Sequence, residues 1–187
     1  MQGLLKSLSH RSGLAEGPAL AGAASAMAMD NGPRGEFGFL VGDWRVKHRK
    51  LKRRLAGETG WWEFEGFCRS WTALDGAGSF DDNFLDEPTG SYRAVTFRRR
   101  DPRTHQWAIW WFDQRVPGSN IDPPVAGSFK DGVGTFLTAD TFEGKPILVR
   151  FLWSDIAANS ATWAQAFSPD RGGSWETNWV MQFERVA

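Results

Sequence analysis

The residues best suited to chemistry are a polar minority set among large apolar side chains. Arg150 lies among Leu148 and Leu152, Gln165 between Trp163 and Phe167, and Asn178 between Glu176 and Val180. Inside a folded core an Arg, a Gln and an Asn must each be hydrogen-bonded, and together they could hold the carboxylate or carbonyl of a ligand. The competing reading is a buried structural network, in which they pair with one another or with Asp82, Asn83 or Asp113. For proton transfer the candidates are His48, Asp82, Asp113 and Glu176, any one of which could serve as a single acid or base. No nucleophile–base pair or metal triad emerges from the spacing. The only cysteine is Cys68, no Cys-x-x-Cys or Cys/His zinc pattern exists, and the histidines are His10, His48 and His105.

The walls around such a site are foreshadowed by composition. The 187 residues include 11 Trp and 14 Phe against a single Tyr, spread from Phe37 to Phe183 and absent before that. Those rings must be buried somewhere. Lys and Arg total 22, as do Asp and Glu, so the formal net charge is zero and no global field selects polyanions or acidic membranes. The basic runs Lys47-His48-Arg49-Lys50-Leu51-Lys52-Arg53-Arg54 and Arg98-Arg99-Arg100 could form a phosphate or nucleic-acid patch if they lay side by side. Strand alternation would send half of these charges outward, and the expectation is a solvated face with no nucleic-acid partner. No apolar run approaches the ~20 residues of a membrane-spanning helix, and no membrane association is expected. A single cysteine excludes an internal disulfide framework and is compatible with a reducing cytoplasm.

Two regions differ in character. Residues 1–35 are rich in Gly and Ala, contain no aromatic residue and read as a flexible N-terminal extension. Lys6 and Arg11 ahead of a weakly apolar stretch ending Ala24-Ser25-Ala26-Met27-Ala28 have the outline of an export signal, against which stand Glu16 and the poor hydrophobicity. Residues 36–187 form the second region, where the hydrophobic period is close to two, the signature of strands. Strands are expected near 42–51, 61–71, 79–85, 92–99, 106–114, 125–130, 133–142, 147–153, 161–167 and 175–184. The breaks between them carry turn chemistry such as Asp131-Gly132 and Glu143-Gly144. The segment 116–124, with Pro117, Gly118 and Asp122-Pro123-Pro124, cannot carry a ladder and is a candidate rim or lid.

Adjacent hairpins without crossover helices imply an antiparallel meander, and closure removes its edges. The expected fold is all-β: an antiparallel up-and-down barrel of about eight to ten strands, wide enough for side chains and one small ligand. Trp44, Val46, His48 and Lys50 share one face of the first strand. The inward tryptophans are assigned as Trp62, Trp107, Trp111, Trp153, Trp163 and Trp179, with a one-residue slip enough to exchange several of them.

Two motifs carry resemblances. Ser168-Pro169-Asp170-Arg171-Gly172-Gly173-Ser174-Trp175 resembles the Asp-box pattern Ser-x-Asp-x-Gly-x-Thr-Trp, with Ser174 in place of Thr. One copy near the C-terminus implies a hairpin turn and not glycosidase chemistry. Phe39-Leu40-Val41-Gly42-Asp43-Trp44 resembles the Gly-x-Trp signature of calycin-like barrels, whose Trp closes the barrel bottom. Together with the meander and the terminal hairpin, the chain is similar over residues 37–186 to bacterial calycin-like (lipocalin-like) barrel proteins of unassigned function. Unlike lipocalins proper, it has no disulfide and no C-terminal helix. Haem-binding calycins ligate iron with a late histidine, and none follows His105, so no haem and no other cofactor or metal is expected.

Three functions fit. The first is binding of a small hydrophobic or aromatic molecule in a tryptophan-lined barrel, by Trp62, Trp111, Arg150, Trp153, Trp163, Gln165, Asn178 and Trp179. The second is a cofactor-independent cyclase, isomerase or lyase that preorganises an apolar metabolite. The third is a structural barrel filled by its own side chains and assembled as a homodimer through an outer face.

Overall fold

The computed structural model describes residues 36–116 and 121–186. The N-terminal extension and the Pro117–Asn120 part of the candidate rim lie outside the described residues. Ten strands follow in order: β1 (Gly42–Leu51), β2 (Trp61–Ala73), β3 (Gly78–Leu85), β4 (Tyr92–Arg100), β5 (Trp107–Asp113), β6 (Val125–Lys130), β7 (Val133–Phe142), β8 (Lys145–Ser154), β9 (Ser160–Ser168) and β10 (Glu176–Arg185). Each pairs antiparallel with its neighbour in sequence, and β1 pairs with β10 to close the barrel. This is the closed all-β up-and-down barrel that the alternation and turns call for. The turns behave as their residues dictate: Asp131 and Gly132 have φ of 51° and 79°, and Glu143 and Gly144 49° and 77°, the left-handed pairs of tight two-residue hairpins.

One end is a sealed floor. The 3-10 helix Gly38–Leu40 crosses it and buries Phe37 and Leu40 against Trp44, Trp107, Phe136, Trp153 and Phe183. Trp44 donates from its indole nitrogen to the Leu40 carbonyl at 2.6 Å. Arg185 of β10 donates to the Val41 and Phe39 carbonyls at 2.6 and 2.7 Å and lays its guanidinium 4.1 Å from the Trp44 ring centroid. These bonds occupy carbonyls that the end of a short helix leaves without partners. They also explain Gly42: its φ is 118°, and a Cβ there would stand 2.6 Å from Arg185 Nη1.

Not every tryptophan faces inward. Trp71, Phe80, Phe97 and Trp110 occupy matching register positions on β2 to β5 and stack on the outer surface, with successive centroids 6.0, 4.6 and 5.6 Å apart. Strand period two makes this unavoidable, because Trp110 and Trp111 are adjacent and must point opposite ways.

Candidate ligand-binding site

From the floor upward the interior changes in chemistry. Its middle level holds a small chamber with a cavity volume of about 30 Å³, room for a water molecule or a carbonyl group. One wall is polar: Asp81 and Asn83 from β3 and Thr96 and Arg98 from β4. The facing wall is made by Phe151, Trp163, Met181 and Phe183. Arg98 Nη1 lies 2.5 Å from Asp81 Oδ2, and the Asn83 amide nitrogen donates to Asp81 Oδ1 at 2.5 Å. All four polar residues are buried.

Above the chamber is a mouth cavity of about 330 Å³, which shares Ile109, Trp111 and Phe151 with it as common walls. Trp179 and Phe167 complete the aromatic side, and Trp179 meets Trp111 and Trp163 edge to face at centroid distances of 5.8 and 5.5 Å. Lys50, Arg54, Arg115, Asp113 and Gln165 bring polar groups to the same space. The Lys50 ammonium lies 3.1 Å from Glu87 and 4.8 Å from the Trp179 ring centroid. Burial lowers its basicity, partly offset by the hydrogen bond to Glu87. Arg115 pairs with Glu87 at 3.0 Å and Asp113 at 2.7 Å. Burial raises the Asp113 carboxyl, but the Arg115 hydrogen bonds outweigh it and hold the group below the usual carboxylate range. The Arg54 guanidinium sits 5.3 Å from the Phe167 ring centroid. It has no ion pair with a carboxylate among the described residues.

The residues singled out in sequence fall unevenly on this geometry. Trp111 lines both spaces, Trp163 the chamber, and Gln165 and Trp179 the mouth. Trp153 and Trp107 belong to the floor core, although Trp153 also bounds the chamber. Trp62 pairs with Lys50 at the mouth end of β2, half-buried, with Lys52 Nζ 4.6 Å from its ring centroid, and is not a wall of either cavity. Asn178 is the extra residue of a β-bulge between Thr177 and Trp179, fully buried, and accepts a hydrogen bond from Gln165 at 2.8 Å. The bulge is what lets two consecutive residues, Asn178 and Trp179, both turn away from solvent.

Arg150 is a correction. It occupies the outer face of β8, where its guanidinium stands 4.4 Å from the Trp175 ring centroid. Period two allows nothing else once Val149, Phe151 and Trp153 face inward. The interior arginine is Arg98. Similarly Asp82 faces outward and pairs with Arg93, and its neighbour Asp81 faces inward. Glu176 stands at the mouth and accepts a hydrogen bond from the Leu55 backbone at 2.6 Å. His48 is buried, stacked on Phe64 at 4.7 Å and held by Trp179, but lines neither cavity. Burial, with the nearby Lys50 charge, drives its pKa down to about 3.

Sequence reasoning missed Asp81, Thr96 and Arg98 as interior groups, though alternation along Tyr92, Ala94, Thr96 and Arg98 carried the signal; Lys50 was placed on the face of Trp44 but not singled out as a site residue. The two basic runs dissolve into ion pairs: Lys47 with Glu184, Arg49 with Glu63 and Arg98 with Asp81 across strands, Arg53 with Glu58 within the β1–β2 connection, and Arg100 with Glu36 ahead of β1. At the terminal hairpin, Asp170 accepts from Ser174 N, Ser174 Oγ and Ser168 Oγ at 2.7–2.8 Å. These bonds, Ser174's foremost, lower its carboxyl to about 2. Among the described residues no cluster of His, Cys, Asp and Glu is arranged to hold a metal ion, and no helix is long and apolar enough to cross a membrane.

No protein-family model matches the sequence, and no curated protein matches it at a significant level. In three dimensions the chain is similar to the S-type phycobiliprotein lyase CPES from Guillardia theta. The two are 11% identical in sequence, with a TM-score of 0.47, over 81% of this chain and 90% of that one.

Proposed function

We propose that the protein binds a small hydrophobic or aromatic molecule in the mouth of the barrel, with Trp111, Trp179, Phe151 and Phe167 contacting its apolar body. One observation carries this reading: a cavity of about 330 Å³ opens between those rings and the polar groups of Lys50, Arg54, Arg115 and Gln165. Its size is at the lower end of the range of small-molecule sites, and its mix of aromatic wall and few polar groups is typical of them. A structural barrel would have filled this space with side chains, as the floor is filled.

Proton-transfer chemistry has less behind it. Of His48, Asp82, Asp113 and Glu176, only Asp113 lines the cavity, and Arg115 holds it as a carboxylate. The reading is tested by titrating tryptophan fluorescence with a panel of fatty acids, flavonoids and polyketides. Saturable quenching by at least one class is expected, since Trp111 and Trp179 line the cavity. A panel with no saturable response overturns the proposal.

A further inference from the structure

We propose that the inner chamber receives the neutral carbonyl end of the ligand whose body lies in the mouth, and that Arg98 is the donor that reads it. This rests on the binding reading above and adds the chemical class of the ligand's polar end.

The starting point is a side chain with more donors than acceptors. Arg98 is 4% exposed and lines the chamber, and its Nε and Nη1 have no hydrogen-bond acceptor among the described residues. Nη1 approaches Asp81 closely enough to balance the charge, but not along the direction a hydrogen bond needs. The remaining surroundings are rings: the guanidinium is 4.9 Å from the Phe37 centroid and 6.0 Å from that of Trp153. A buried ion pair is a poor source of stability, because hydrophobic residues of the same volume usually do as well. Directed donors left over beside a chamber are better accounted for by an acceptor that arrives with a ligand.

Charge and size then select the acceptor. Asp81 already neutralises Arg98, so a carboxylate in the chamber would leave a net buried negative charge. A ketone, quinone, lactone or amide oxygen takes the same hydrogen bonds without that cost. The chamber volume of about 30 Å³ admits a carbonyl and excludes a ring, so the aromatic body must remain beyond Ile109, Trp111 and Phe151 in the larger cavity. Thr96, on the same wall, carries a hydroxyl that can donate to the same oxygen.

The test compares 2-acetylnaphthalene, 2-ethylnaphthalene and 2-naphthoate, three probes of similar apolar body, by isothermal titration calorimetry on the full chain. The ketone should bind roughly tenfold tighter than the hydrocarbon and tighter than the carboxylate. Difference infrared spectroscopy on wild-type protein should show the bound ketone's C=O stretch below its value in an apolar solvent. In an Asp81→Leu/Arg98→Met double variant, which removes both charges together, the ratio of ketone to hydrocarbon affinity should fall to about one. Equal affinities for ketone and hydrocarbon, a C=O stretch at its apolar-solvent value, or tightest binding of the carboxylate each overturn the assignment and leave the binding barrel standing. Failure of all three probes to bind alongside a saturable response in the fluorescence panel overturns the chamber assignment, and failure of both overturns the binding reading itself.

Discussion

The indole nitrogen of Trp179 donates to Nδ1 of His48 across 3.3 Å inside the barrel. That bond requires an unprotonated Nδ1, so the imidazole carries its one proton on Nε2. Desolvation, reinforced by Lys50, keeps it neutral down to about pH 3, against 6.5 for a free histidine. The unfolded chain therefore takes up a proton below pH 6.5 that the folded protein refuses. Stability from this site is intact above pH 6.5 and erodes as the pH falls toward 3, by up to about 1.4 kcal/mol per pH unit. A His48→Gln variant should show a shallower fall of the urea midpoint between pH 7.5 and 4.5 than wild type. Parallel curves for the two proteins would remove His48 from the acid response.

The mouth should depend on Trp179 more than on any outer tryptophan. Its ring sits edge to face with both Trp111 and Trp163 and beneath the Lys50 ammonium. Trp179→Leu is expected to weaken a ligand found in the fluorescence titration by about tenfold. Trp110→Leu, on the outer stack, should leave the affinity unchanged.

Glu87 holds two cations at the rim, Lys50 at 3.1 Å and Arg115 at 3.0 Å, and is itself only 7% exposed. In Glu87→Gln the Lys50 ammonium stays in a largely buried position without its counter-charge, which should reduce unfolding free energy by about 1–3 kcal/mol. Lys50→Met added to that variant should recover part of the loss in urea denaturation, because the unpaired charge leaves with it.

At the floor, Arg185→Met removes charge-assisted bonds to the Val41, Phe39 and Ala158 carbonyls together with the contact on Trp44. A loss of about 2–4 kcal/mol is expected by chemical denaturation, accompanied by a change in the near-ultraviolet dichroism of the indoles. Gly42→Ala should also destabilise the protein, because its φ of 118° disfavours any side chain and the new Cβ would meet Arg185. Removing Arg185 as well should relieve only the second of these.

The strands were legible because their causes are local. Alternation from Trp44 to Lys50, and turn pairs such as Asp131-Gly132, specify backbone conformation without reference to the rest of the chain. Gly42-x-Trp44 was legible as a closing element, although its partner Arg185 is 143 residues away in sequence. Which face of a strand is the inner one was legible only where one face is plainly apolar. On β8 both faces are apolar, with Leu148 and Leu152 outside and Phe151 and Trp153 inside, so Arg150 could be read inward although it is three residues from Trp153. On β4 the clue was overshadowed by the charge of Arg98-Arg99-Arg100, which drew the run as a whole into the reading of a solvated face.

By itself, then, the sequence determined an all-β meander with a tryptophan-rich interior, because hydrophobic period and turn chemistry act over a few residues. Only the tertiary structure decided that Arg98 and Asp81 meet in the barrel, that Trp71 and Trp110 stack outside it, and that a bulge at Asn178 keeps Trp179 facing in. Those outcomes depend on register between strands far apart in the chain. A shift of one residue exchanges the inner and outer faces, and barrel closure is what selects among the registers.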